Sequence, residues 1–173
     1  MSEKSLPPLT VVLGGVSSGK SSVAEGLVIK STLPRHYIAT AQAFDDEMRA
    51  KIADHKIDRG PDWITHEAPL DVAQVLNSIP QGTCVLLDCA TMWLTNVMMA
   101  DAEINAATDE LLSALRNCAA PVVVVSNEVG LGGVPANAMA RRFARLQGGL
   151  NAQLAAQADS VLLVTAGLPQ VLK

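Results

Sequence analysis

Apolar residues fall along this chain in short unbroken runs: Leu9–Leu13, Tyr37–Thr40, Cys84–Asp88, Val122–Ser126 and Val161–Thr165. Strands of that kind are covered on both faces, as in parallel sheets, whereas a sheet with one wet face alternates. Between the runs, apolar positions recur three and four apart, the helical period. Helices are therefore expected from Ser21 to about Lys30, Phe44 to Asp58, Leu70 to Ile79, Asp101 to Asn117 and Asn137 to Ala158, with a helix or turn over Thr91–Met99 that buries Trp93. The order is repeated strand and helix, so the expected class is α/β: a right-handed, mostly parallel sheet flanked by helices. Trp63-Ile64-Thr65-His66-Glu67 reads as a short polar run, and the residues after Thr165 as a loop and a short tail.

The helix expected from Phe44 is the best specified. Phe44, Met48 and Ile52 share a face, Asp45, Asp46 and Glu47 occupy its first turn, and Gly60-Pro61 stops it. His55 continues the apolar stripe to the C-terminal end, beside Lys56 and Arg59. On position alone, the commoner role of such a histidine is to compensate the helix dipole at the surface.

Composition narrows the class. A length of 173 residues suits a single domain over 1–173, and 49% hydrophobic content with only 3% aromatics suits a helix-covered parallel sheet. A net charge of −4 leaves no basic footprint for nucleic acid. The cysteines, Cys84, Cys89 and Cys118, lack metal-ligand spacing and point to a reducing compartment, hence a cytoplasmic protein. The N-terminus has no apolar signal segment, and Cys89 to Ala100 is too short and polar to span a membrane.

The chemistry starts at Gly14-Gly15-Val16-Ser17-Ser18-Gly19-Lys20-Ser21, which follows the first strand and opens the first helix. This spacing makes a phosphate-binding loop: backbone N–H groups surround the phosphates, Lys20 reaches the β- and γ-phosphates, and the Ser21 hydroxyl ligates Mg²⁺. Asp88 closes an apolar strand, where a carboxylate reaches the hydrated Mg²⁺ or merely caps the next turn. Ala39-Thr40-Ala41 and the loop after Ser126, Asn127-Glu128-Val129-Gly130-Leu131-Gly132-Gly133, also stand at carboxyl ends of strands, where open α/β sheets bind ligands. Arg141, Arg142 and Arg145 read as a solvated face, and His36 and His66 have weaker claims than His55.

Together these segments resemble the bifunctional adenosylcobinamide kinase/adenosylcobinamide-phosphate guanylyltransferase family, nearly end to end. The resemblance rests on the phosphate loop, Tyr37 through Ala41, Asp45 through Met48, His55 with Arg59, Trp63 through Glu67, Asp88-Cys89 through Asn96, Ser126 through Gly130, and Ala166 through Pro169. It implies a RecA-like phosphate-loop fold and an enzyme that phosphorylates adenosylcobinamide with ATP or GTP, then transfers GMP from GTP onto that phosphate. It also implies a covalent guanylyl-histidine at His55, and nucleotide contacts from Gly14, Gly15, Val16, Ser17, Ser18, Gly19, Lys20, Ser21, Ala39, Thr40, Ala41, Lys56, Ile57, Asp58, Arg59, Glu67 and Asp88. Mg²⁺ would sit at Ser21 and Asp88, in a homo-oligomer. Without the resemblance, the residues leave open first another small-molecule kinase that uses the phosphate loop alone, and then a non-enzymatic nucleotide-dependent switch.

Overall fold

The computed structural model describes residues 5–42, 46, 49, 50, 53 and 60–173. A seven-stranded sheet runs through the centre in the order β3-β2-β4-β5-β1-β6-β7. Its strands are β1 (Leu9–Gly14), β2 (Arg35–Ala39), β3 (Trp63–Glu67), β4 (Cys84–Asp88), β5 (Val122–Asn127), β6 (Ser160–Thr165) and β7 (Leu168–Val171). Every pairing is parallel except β6 with β7.

Side chains alternate between two cores. Val11, Val85, Leu87, Val122 and Val124 face the helices α2 (Val72–Ser78), α3 (Ala90–Met99), α4 (Ile104–Asn117) and α5 (Ala138–Gln157), meeting Leu76, Trp93, Leu111 and Leu154. Val12, Leu86, Val123 and Val125 face the other way, toward Ala24 and Val28 of α1 (Lys20–Lys30). Burial on both sides explains why these strands read as continuous apolar runs. Trp93 is buried as expected, and its indole N–H donates to Leu70 O at 3.1 Å, so the ring packs without orphaning its polar atom.

Two strands were not expected. β3 pairs with β2 along its whole length, Arg35 with Trp63 through Ala39 with Glu67. It is an edge strand with only one neighbour, so it carries Thr65, His66 and Glu67 where a central strand carries valines. Trp63 packs edge-on to Tyr37 and lies under the Arg35 guanidinium, which also pairs with Asp62 at 3.2 Å. β7 returns antiparallel through a turn in which Ala166 (φ 52°) and Gly167 (φ 78°) are both left-handed, the geometry of a two-residue hairpin. Pro169 is tolerated because β7 is the opposite edge.

The helix expected over Phe44–Asp58 lies mostly outside the described residues. Of it, Asp46, Arg49, Ala50 and Ala53 are described and helical, with Arg49 Nη1 at 2.7 Å from Asp46 Oδ1.

At the β2–β3 edge, His36 Nδ1 lies 2.9 Å from His66 Nε2 with the rings stacked. Burial, and then the charge of His66, hold His36 below its ordinary value of 6.5. The unfolded chain accordingly binds a proton that the folded chain refuses, and stability drops as the pH falls below 6.5. The unfolding midpoint should fall between about pH 8 and about pH 5.5 by more in the wild type than in His36→Gln. An equal fall in both would remove His36 as the cause.

Candidate functional site

Five of the residues singled out from sequence stand at the carboxyl edge of the sheet. Gly14 ends β1, Ala39 ends β2, Glu67 ends β3, Asp88 ends β4 and Asn127 ends β5. Register places Ala39 opposite both Glu67 and Asp88, and Gly14 opposite Asn127. The loop strand β1 and the Asp88 strand β4 are separated by β5.

The loop itself is shaped by close packing. A Cβ on Gly14 would run into Ser18 Oγ and come within 2.8 Å of Val164 O, so only glycine fits there. Ser17 and Gly19 adopt φ values of 57° and 90°. Ser18 N–H donates to Gly15 O at 3.2 Å, and the β6–β7 turn supports the loop from behind, with Gly167 N–H donating to Ser18 O at 2.7 Å. Gly19 stands at the N-cap of α1 and has no side chain to satisfy the helix's first N–H groups, which stay available to an anion. Lys20 Nζ folds back to Gly15 O at 3.0 Å, which holds its charge over the loop.

The Asp88 end is equally constrained. Tyr37 O–H donates to Asp88 Oδ2 at 3.1 Å. The Thr40 hydroxyl donates to Cys89 O at 2.8 Å and accepts from Cys89 N–H at 2.9 Å, latching the ends of β2 and β4 together. Asn96 Nδ2 donates to Thr40 O and Pro69 O, extending the latch into α3. The Thr40 hydroxyl is thus engaged by protein, while Ala39 and Ala41 flank it at the edge. Burial and then the charge of Asp88 push the Cys89 thiol up to about 11, against a smaller lowering from the Lys20 ammonium. Cys89 is accordingly a protonated packing residue whose sulfur caps α3, accepting from Met92 N–H.

Between these two ends lies a polar cluster that joins Thr91 and Ser126, both within segments that carry the resemblance, to Gln147 and Asn151, which the sequence did not single out. Thr91, Ser126, Gln147 and Asn151 are all buried within the apolar layer between the sheet and α3 and α5. Ser126 Oγ donates to Asn151 Oδ1 at 2.7 Å, and Gln147 Nε2 donates to both Ser126 Oγ and Asn151 Oδ1 at 2.9 Å. The segment that follows Asn127 joins the phosphate loop directly, Glu128 N–H donating to Gly14 O at 2.9 Å. Arg141 is not merely solvated: its Nη1 donates to Pro135 O and Ala136 O and ties down the end of this segment.

His55, Lys56, Ile57, Asp58 and Arg59 lie outside the described residues. Among the described residues, no group of three or more His, Cys, Asp or Glu side chains gathers to hold a metal ion, and no helix is long and apolar enough to cross a membrane.

Residues 10–172 match the family model described as cobinamide kinase/cobinamide phosphate guanyltransferase. The bifunctional adenosylcobalamin biosynthesis protein CobP of Pseudomonas aeruginosa is 42% identical over 166 residues, covering 94% of this chain and 96% of its own. The bifunctional adenosylcobalamin biosynthesis protein CobU of Escherichia coli K12 is 38% identical over 176 residues, covering 92% and 97%. Among solved structures, the RadB recombinase superposes with a TM-score of 0.54 at 17% identity, over 91% of this chain and 74% of that one. The flagellar accessory protein FlaH from Methanocaldococcus jannaschii gives 0.53 at 11% identity, over 98% and 80%. These two likenesses concern the fold alone, a RecA-like phosphate-loop architecture.

Proposed function

The chain belongs to the cobinamide kinase/cobinamide phosphate guanyltransferase family, and on that premise we propose how one sheet edge serves both reactions. The enzyme phosphorylates cobinamide and then transfers a guanylyl group to the cobinamide phosphate. In our reading the loop from Gly14 to Ser21 holds the β- and γ-phosphates of the nucleotide in both steps, with Lys20 neutralising their charge. The observation that carries this is the Lys20 ammonium, held on Gly15 O beside an uncapped helix N-terminus.

Ser21 and Asp88 supply oxygen donors, the chemistry Mg²⁺ accepts, and a sparse protein set suits an ion that keeps waters and phosphate oxygens as its other ligands. Bound there, Mg²⁺ would neutralise the developing charge on the phosphates. The Tyr37 hydroxyl orients the Asp88 carboxylate toward that task.

For guanylyl transfer, the neutral imidazole of His55 attacks the α-phosphorus of GTP, and the bond to pyrophosphate breaks with pyrophosphate leaving. The cobinamide phosphate oxygen then attacks the same phosphorus and frees His55. Lys56 and Arg59 stabilise charge on the α-phosphate, and Ile57, Asp58, Glu67 and Ala39 through Ala41 complete the nucleotide contacts. Adenosylcobinamide is the acceptor, and ATP or GTP serves as phosphoryl donor. The reading includes a single catalytic domain in a cytoplasmic homo-oligomer, a setting that the unpaired Cys84, Cys89 and Cys118 favour.

A double-label experiment tests the scheme. With adenosylcobinamide, Mg²⁺ and GTP labelled at either the α- or the γ-phosphorus, the γ-label should enter the corrinoid directly. The α-label should appear first on the protein and only then in the corrinoid. An α-label that reaches product without ever residing on protein would replace the covalent route by direct displacement.

A further inference from the structure

We propose that Asn127 is a catalytic residue of the kinase step, its carboxamide N–H₂ donating to the phosphoryl group in flight. This rests on the reading that the phosphate loop holds the donor nucleotide for that step. Asn127 is the last residue of β5, opposite Gly14 on one side, and Asp88 ends the next strand on the other, opposite Val125. It stands between the loop that grips the phosphates and the carboxylate assigned to Mg²⁺.

Its backbone is clamped on both sides by the buried cluster. Asn127 N–H donates to Thr91 Oγ1 at 2.8 Å, and Asn127 O accepts from Asn151 Nδ2 at 2.9 Å. Thr91, Ser126, Gln147 and Asn151 are each no more than 5% exposed. Among the described residues Gln147 Oε1 has no hydrogen-bond partner, so the cluster is not fully satisfied by them. A cluster of this kind fixes the position of the chain it bonds to, and that chain is Asn127.

The side chain is left out of the clamp. Among the described residues, the Asn127 carboxamide has no hydrogen-bond partner, although its main chain is held from both directions. An unengaged donor carried on a clamped main chain, at the edge where phosphate binds, gives up no protein hydrogen bond when charge develops, and a donor already in place is the condition under which one hydrogen bond contributes most to a transition state. From the sequence, Asn127 is only the first residue of a loop at the ligand-binding edge, with no role of its own.

In the step, the cobinamide hydroxyl oxygen forms its bond to the γ-phosphorus while the bond from that phosphorus to the bridging oxygen breaks. The nucleoside diphosphate leaves with the electron pair, and the hydroxyl proton passes to water. Charge on the equatorial oxygens is what the Asn127 N–H₂ meets. In guanylyl transfer the γ-phosphate departs intact within pyrophosphate, so the same contact contributes less there.

The half-reactions are measured separately, with adenosylcobinamide and ATP for the first and with preformed cobinamide phosphate and GTP for the second. Asn127→Ala should lower the kinase kcat about 100-fold, the loss seen when one preorganised donor is removed. The nucleotide KM should change by no more than a few fold, and guanylyl transfer should fall far less. Asn127→Asp keeps the shape but loses the donor, and should be at least as impaired as Asn127→Ala. Thr91 acts as a positioning residue: Thr91→Val should lower the kinase kcat at unchanged nucleotide affinity, and Thr91→Ser should restore it. A raised nucleotide KM at constant kcat, equal losses in both half-reactions, or full kinase activity in Asn127→Asp would each overturn the proposal. Retained kinase activity in Lys20→Met would instead overturn the reading of the loop, a separate outcome.

Discussion

His55→Asn should abolish the covalent guanylyl label and lower guanylyl transfer on the order of 10⁴-fold or more, the scale at which loss of a covalent nucleophile is felt. Asparagine approximates the size and polarity of the ring, yet its amide nitrogen has no free lone pair to attack phosphorus. The wild-type adduct, a phosphoramidate, should be released by mild acid and survive base, which distinguishes it from serine and carboxylate esters. Phosphorylation of adenosylcobinamide by the same variant should change little, because in the kinase step the acceptor oxygen attacks the γ-phosphorus directly. Formation of cobinamide phosphate by His55→Asn, without any guanylylated product, is the diagnostic pattern. An acid-labile label that persists in the variant would move the nucleophile to another residue, and loss of both reactions would make His55 part of the common nucleotide site.

The fold was legible where burial is symmetrical. β1, β4 and β5 lie between two layers of helices, so their apolar runs announce them directly. β3 and β7 sit at the two edges, where half the surroundings are absent and Thr65, His66, Glu67 and Pro169 are tolerated. Composition does not distinguish such strands from loops; only their partners do. The site divides the same way. The phosphate loop is a local spacing, and Asp88 is a local break in an apolar run. Asn127 owes its placement to Thr91 and Asn151, residues 36 and 24 positions away, and no pattern along the chain connects them. The support given to the loop by Gly167 is likewise invisible until β6 and β7 fold the C-terminal turn beneath Ser18.

Lys20→Met should lower both reactions by about 10³-fold or more if one loop serves both, since a phosphate clamp contributes on that scale to phosphoryl transfer. Methionine keeps an unbranched stem of similar length and removes only the ammonium, so the bond to Gly15 O disappears while the packing of the loop persists. Fold stability should change by less than about 1 kcal/mol, because the interaction lost is one partly exposed hydrogen bond. Lys20→Arg should rescue neither reaction: its planar fork cannot replace a compact ammonium seated over a backbone carbonyl. The informative comparison is between the two half-reactions of Lys20→Met. Equal losses require that the nucleotide attacked at its γ-phosphorus and the nucleotide attacked at its α-phosphorus occupy the same loop, so that His55 works beside Gly14–Ser21. Loss of the kinase alone would place guanylyl transfer at a second nucleotide site, and the shared sheet edge proposed here would have to be divided in two.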